Sequence, residues 1–346
     1  MVRLGITGNA SYRLKDTAVL SVCAVEAPVV VTSAEFDARL MHSYERTGMK
    51  PGMIEQLAGV TERRWWPEDV TFVDAAAMAG AKALAEAGVN PSDVGLLINT
   101  SVCRTGIEPA NAVGVHDQLG LSTSCLNFDV TNACLGFLNG IQLAGSLIDA
   151  GQVDYALLVD AEGLRGLQQS TLDRLAGDDA TAEDLKLQFA TLTLGSGSAA
   201  MVLGRASEHP EGHRVTGGVS RAGTVHKDLC IGDLTIMRTD SRQLFAAGIE
   251  LATQTWQDAL ADGYDWAGAD WFIAHQTSVV HLQAMAQSVG VSPDKFPMTV
   301  PTYGNLAPAA VPFTLAKQVP LLKPDQRVML LGIGSGLNTS FAEIIW

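Results

Sequence analysis

Three polar residues sit where this chain could do chemistry. Cys134 stands in residues 129–140, DVTNACLGFLNG, an apolar, glycine-punctuated run where a buried strand is predicted to hand over to a buried helix. A helix N-terminus or an adjacent imidazole lowers a cysteine below the ~8.5 of a free thiol and so prepares a nucleophile. His275 ends the apolar run ADWFIAH and should emerge at the carboxyl end of a strand, where α/β proteins place their sites. Asn305 lies in TYGNLAPAAVP, whose Gly304, Pro308 and Pro312 shape a loop leading into a short helix. Each has a plainer reading: a packed core thiol, a hydrogen-bonded strand-end histidine, an ordinary helix cap.

The elements that must position these residues alternate in period. Residues 71–89 (TFVDAAAMAGAKALAEAGV) read as an Ala-rich helix ending near Gly88, and VGLLINTSV at 94–102 as a strand buried on both faces. An apolar helix at 140–151 and a buried strand at 153–162, VDYALLVDAE, follow the Cys134 segment. Residues 163–194 are more polar and helix-prone and read as an insertion, after which 196–205 resumes strand character. The second half repeats this order, with a helix at 248–263 and a strand at 269–279. Aligning Asp93 with Asp270 superposes DVGLLINTSV on DWFIAHQTSV, with Asn99 over Gln276. Counting 20 residues back from Asp154 and from Asp325, which open the next pair of matched strands, reaches Cys134 and Asn305 respectively. Two related halves, 1–205 (with the insertion at about 163–194) and 206–346, would then place Cys134 and Asn305 at equivalent helix N-termini, ends that favour an anion such as a thiolate.

Composition bounds the class. With 346 residues, 47% hydrophobic and only 17% charged, the chain can bury a large core. Its apolar runs are far shorter than the roughly 20 residues of a membrane span, and MVRLGITGNASYRLKD lacks the features of a secretory signal, so integral membrane contact and export are not expected and the reading is cytoplasmic. The five cysteines show neither CxxC nor Cys/His ligand spacing, so no metal site and no disulfide framework are predicted. The net charge of −14 argues against nucleic acid as the main partner but leaves room for a local cationic patch. ERRWWPED at 62–69 sets Arg63 and Arg64 beside two tryptophans, and a solvated turn with aromatic anchors is its plain reading.

NACLGF around Cys134, HQ at His275, YGN at Asn305 and the terminal GIGSGLNTSFAEIIW occur in the order found in the thiolase superfamily, and the chain resembles ketoacyl-ACP synthase III over nearly its whole length. GNASYR, ERRWWP, LLINTSVCRTGIEPA, ATLTLG, GNLAPAAVP and GIGSGLN make it most similar to the OleA-type enzymes, which join two fatty acyl-CoA molecules head to head in olefin or β-lactone biosynthesis. Pro308 and the long 163–194 segment depart from a plain synthase III. The resemblance implies an α/β fold, the duplicated, five-layered αβαβα thiolase architecture. It also implies a Cys134 acyl-enzyme, with His275 and Asn305 donating to the thioester carbonyl of a second substrate and the backbone N–H groups of Cys134 and Ser335 forming an oxyanion hole. Taken alone, GIGSG around Ser335 equally suits a simple turn. Because a second acyl-CoA has no carboxylate to lose, the resemblance makes Glu108, inserted from a neighbouring subunit, the base that removes its α-proton. An isolated loop glutamate would otherwise read as solvated. Arg63 and Arg64 become candidates for the CoA phosphates. No permanently bound cofactor is implied, only CoA thioesters as substrates, with a homodimer or a heterodimer of related chains as the working unit. The competing readings are a decarboxylative β-ketoacyl-ACP synthase III, a cysteine acyltransferase to an amine or hydroxyl, and a non-catalytic partner of a related chain.

Overall fold

The computed structural model describes residues 11–346, so the start of GNASYR and the reading of residues 1–10 as free of a signal lie outside the described residues. Strand order explains the architecture. From the centre outward on one side run Thr17–Glu26, Gly197–Arg205, Tyr155–Glu162, Val94–Asn99 and Leu126–Asp129; on the other run His213–Ala222, Asn338–Ile345, Arg327–Gly334 and Trp271–Ala274. Each side therefore ranks its strands in the same chain order, with no counterpart of Leu126–Asp129 on the second side among the described residues. The two rows of strands are joined by the pairs Ala18↔Arg214 and Val19↔His213, and Ser11–Arg13 of the first half also pairs with His213–Ala222. This is the duplication that the aligned sequence segments predict.

The helices complete the layers. Gly136–Asp149 and Ala310–Gln318 each touch strands of both sides, which makes them the middle layer. Phe72–Ala87 packs on the first set of strands from outside and Ser241–Ala261 on the second. The middle helix Gly136–Asp149 is apolar because both of its faces are covered, with Phe137, Leu138, Ile141, Ala144 and Ile148 all buried. The predicted helix at 71–89 forms as Phe72–Ala87, opened by a Thr71/Asp74 capping box and closed by Gly88 in the left-handed region. The predicted strand at 269–279 is shorter, Trp271–Ala274, because Ser278 caps a new helix, Val279–Ser288. The 163–194 segment folds into helices Arg165–Ala176, Ala182–Leu187 and Phe189–Leu192, docked on Ser33–Thr47 through Leu172 and Leu175 and a hydrogen bond from Ser43 Oγ to Leu175 O.

Candidate active site

The parallel pair Trp271–Ala274 and Arg327–Gly334 delivers two site residues to one edge. His275 continues the first strand, its N–H bonding Leu331 O at 2.7 Å. Ser335 begins the turn directly after Gly334. A Cβ on Gly334 would stand 3.3 Å from the Cys134 nitrogen, so the Ser335 turn lies against the Cys134 amide. Cys134 is held in a tight turn: Leu135 N bonds Asn132 O at 2.9 Å, and Ala133 has φ 44°, a left-handed conformation that costs a non-glycine residue about 1–2 kcal/mol. Gly304, preceding Asn305, has φ 70°. The residues before Cys134 and Asn305 thus share a backbone reversal, and a helical segment starts two residues after each, at Gly136 and Ala307.

Asn305 is fixed from several directions. Its N–H bonds Thr193 O at 2.8 Å, its carbonyl accepts Gly195 N at 3.0 Å, and its Oδ1 accepts Ala307 N at 2.9 Å. With the oxygen held by a donor, the amide orientation is set and the NH2 edge remains to donate. The Ala307 backbone also stands beside the His275 ring, whose Nδ1 is buried with no hydrogen-bond partner among the described residues. Burial and the neighbouring His281 push His275 down to about 3, leaving it neutral across the physiological range. Gln276, the partner of His275 in the HQ motif, is structural: Nε2 donates to Pro297 O and Thr314 Oγ1, and Oε1 accepts the N–H groups of Thr299 and Val300.

Two expectations require correction. The helix N-terminus was expected to favour a thiolate, but burial first, then Cys230, Glu162 and Asp160, push the Cys134 thiol well above its ordinary value. At rest it is a neutral thiol. Arg63 is fully buried, and its guanidinium donates to Val31 O, Ser33 Oγ and Leu192 O beneath the Phe36 ring. No phosphate can reach it, so it is a structural cation rather than a CoA contact. Arg64 is partly accessible, paired with Glu62 at 2.6 Å and lying 5.4 Å from the Tyr303 ring centroid.

Glu108 is exposed on the 102–111 loop, beside Ile107, which is 97% exposed. Nothing within the described chain brings it into the Cys134 cluster. Sequence reading missed Asp160 and Glu162, both wholly buried at the end of the Tyr155–Glu162 strand, and the buried His281. The acids had a signal, two carboxylates of like parity in an otherwise apolar strand, YALLVDAE. No group of metal-ligating side chains occurs among the described residues, and no helix among them is long and apolar enough to cross a membrane.

The 3-oxoacyl-[acyl-carrier-protein] synthase III family matches residues 128–218, and its C-terminal counterpart matches 261–346. The chain is 41% identical to an acyl-CoA:acyl-CoA alkyltransferase of Xanthomonas campestris, covering 96% of this chain and 99% of that one. It is 34% identical to the enzyme of the same name from Shewanella oneidensis, covering 92% and 96%. A β-ketoacyl-[acyl-carrier-protein] synthase III of Rhodospirillum rubrum is 30% identical over 87% of this chain and 92% of its own. Among solved structures, Xanthomonas campestris OleA with cerulenin bound superposes with a TM-score of 0.94 at 40% identity over 100% of both chains. A cysteine-to-serine variant of that protein with lauric acid and lauroyl-CoA gives the same TM-score and identity over 96% of this chain and 100% of that one. The chain belongs to the acyl-CoA:acyl-CoA alkyltransferase (OleA) family of synthase III-like, thiolase-fold condensing enzymes.

Proposed function

We propose that the protein condenses two long-chain fatty acyl-CoA thioesters head to head, without decarboxylation, to a 2-alkyl-3-oxoacyl product. The observation that carries this reading is a pair of neutral donors: the Asn305 amide, its orientation locked by Ala307 N, and the buried, uncharged His275 ring, which lies on the same strand edge as the turn that abuts the Cys134 amide. Neutral donors suit an enolate oxygen, which they stabilise without protonating it outright.

In the first half-reaction Cys134 Sγ attacks the acyl-CoA carbonyl, the oxyanion is held by the N–H groups of Cys134 and Ser335, and CoA leaves with the thiol proton. In the second, Glu108 of a neighbouring subunit removes the α-proton of the second acyl-CoA. His275 and Asn305 hold the enolate oxygen, and the carbanion attacks the acyl-Cys134 carbonyl, expelling the cysteine. Each donor of such a hole contributes roughly 3–4 kcal/mol in characterised sites. Exposure of Glu108 and Ile107 on a projecting loop supports their use across a subunit boundary. Arg64 is the proposed contact for CoA phosphate.

The test is incubation with acyl-CoAs of two lengths, with mass spectrometry of protein and products. The expected result is an acyl adduct on Cys134 and mixed condensed products. Glu108→Gln should accumulate the adduct without carbon–carbon bond formation. A Glu108 variant that condenses acyl-CoAs at the full rate would overturn Glu108 as the base; condensation seen only when malonyl-ACP is supplied would favour the decarboxylative reading, and an ester or amide product formed with an added amine or hydroxyl acceptor would favour simple acyl transfer.

A further inference from the structure

The loop that carries Glu108 is pinned at both feet by buried or partly buried carboxylates. At one foot, Glu162 Oε1 accepts Val102 N at 2.7 Å and Oε2 accepts Cys103 N at 3.2 Å. At the other, Asp129 Oδ2 accepts Asn111 N at 3.0 Å and Oδ1 accepts Ala112 N at 2.9 Å. Asn111 cross-braces the two feet, with Nδ2 donating to Cys103 O at 2.9 Å and Oδ1 accepting Thr105 Oγ1 at 3.1 Å. Arg104 donates to Thr131 Oγ1, three residues before Cys134, so the arch is also tied to the nucleophile's turn. The crown of the arch, residues 104–109 with Ile107 and Glu108, stands in solvent.

A wholly buried carboxylate is costly unless its oxygens are met by donors. Glu162 satisfies that condition by gripping the loop, and its neighbour Asp160 does not compete for those donors. Asp160 accepts Thr100 Oγ1 at 2.5 Å on Oδ2, while its buried Oδ1 meets no hydrogen-bond partner. Burial raises both acids, Glu162 to about 7, consistent with a pair holding one proton between them.

We propose that Glu162 is a positioning residue for carbon–carbon bond formation: it sets the 102–111 arch, and hence the reach of Glu108, while Asp129 holds the other foot to the same end. The proposal rests on the assignment of Glu108 as base, and it predicts a split between the two half-reactions. Cys134 acylation does not use Glu108, so loosening the arch leaves it intact; enolate formation does, and misplacing a reacting group by about 1 Å costs on the order of a hundredfold.

The experiment compares Glu162→Gln, Asp129→Asn and Glu108→Gln in the full-length enzyme, following the burst of CoA release, the acyl mass on the protein, and kcat and KM for condensation. Asp129→Asn should acylate within about twofold of wild type, and Glu162→Gln, which also removes a carboxylate that raises the Cys134 thiol, should acylate no slower than wild type, yet both should lose at least about tenfold in kcat for condensation with little change in KM. If Glu162→Gln fails to fold, Asp129→Asn, on the opposite foot, carries the same prediction. Unchanged condensation in a folded variant, or equal loss of acylation and condensation, overturns the proposal. An unimpaired Glu108→Gln would instead overturn the assignment of the base itself.

Discussion

Gly195 offers a stringent test of how Asn305 is held. A Cβ at this position would lie 1.8 Å from Tyr303 O and 3.0 Å from the Tyr303 carbonyl carbon. In Gly195→Ala the Tyr303 carbonyl must therefore retreat by more than about 1.2 Å merely to reach a 3.0 Å contact, itself closer than real Cβ atoms tolerate. The obstacle is backbone and cannot rotate away. The strand-like bridge at this point, Gly195 N to Asn305 O at 3.0 Å and Asn305 N to Thr193 O at 2.8 Å, would open. Two hydrogen bonds at about 1 kcal/mol each, plus about 1–3 kcal/mol of overpacking strain, give a destabilisation of roughly 3–5 kcal/mol. Displacement of Asn305 by about 1 Å should lower condensation about a hundredfold. Among the described residues no hydrogen bond joins Gly195 to the Cys134 turn, so stoichiometric acylation should persist. Urea unfolding, the CoA burst and product formation read these three quantities separately. A variant with wild-type stability and condensation would refute the reasoning that this bridge positions Asn305.

Arg63→Met should lower stability by about 3 kcal/mol, because it leaves three buried acceptors unmet, while KM for acyl-CoA stays unchanged; a raised KM at unchanged stability would restore Arg63 as a phosphate contact. Arg64→Ala should raise KM for acyl-CoA about tenfold with kcat preserved, as measured by steady-state kinetics over a range of acyl-CoA concentrations. His281 is held neutral by burial, pushed down to about 4, below the ordinary 6.5. The unfolded chain therefore takes up a proton below about pH 6.5 that the native state refuses, so this group's contribution is present above pH 6.5 and is lost as pH falls toward 4. Comparing urea unfolding of wild type and His281→Leu near pH 7.5 and pH 5, the difference should move by about 2 kcal/mol in favour of the variant at the lower pH. A pH-independent difference would count against a neutral buried ring.

Element type was readable where the pattern was strong. The buried strands at 94–102 and 153–162 and the Ala-rich helix at 71–89 appear as Val94–Asn99, Tyr155–Glu162 and Phe72–Ala87, because their apolar periodicity and caps are local properties. The internal repeat was legible for a related reason: the matched segments become strands of matching rank, and the strand order repeats accordingly. The strand at 269–279 ran too long because the apolar run continues through a cap, Ser278, into a helix.

What the sequence by itself determined is the chemical inventory and its placement along the chain: a cysteine at a strand-to-helix reversal, a histidine at a strand end, an asparagine at the matching position of a second half, and a terminal glycine turn. These depend on spacing and on residue type, which a linear chain displays. Only the tertiary structure decided the electrostatics. Arg63 and Arg64 are adjacent and alike in sequence, yet one is sealed under Phe36 and the other is partly open, because alternate strand residues face opposite sides. The protonation of Cys134, the neutrality of His275 and the grip of Glu162 on the loop of Glu108 follow from desolvation and from donors far away in sequence. Burial is a property of what folds over a residue, and the residue's own neighbours in the chain do not encode it.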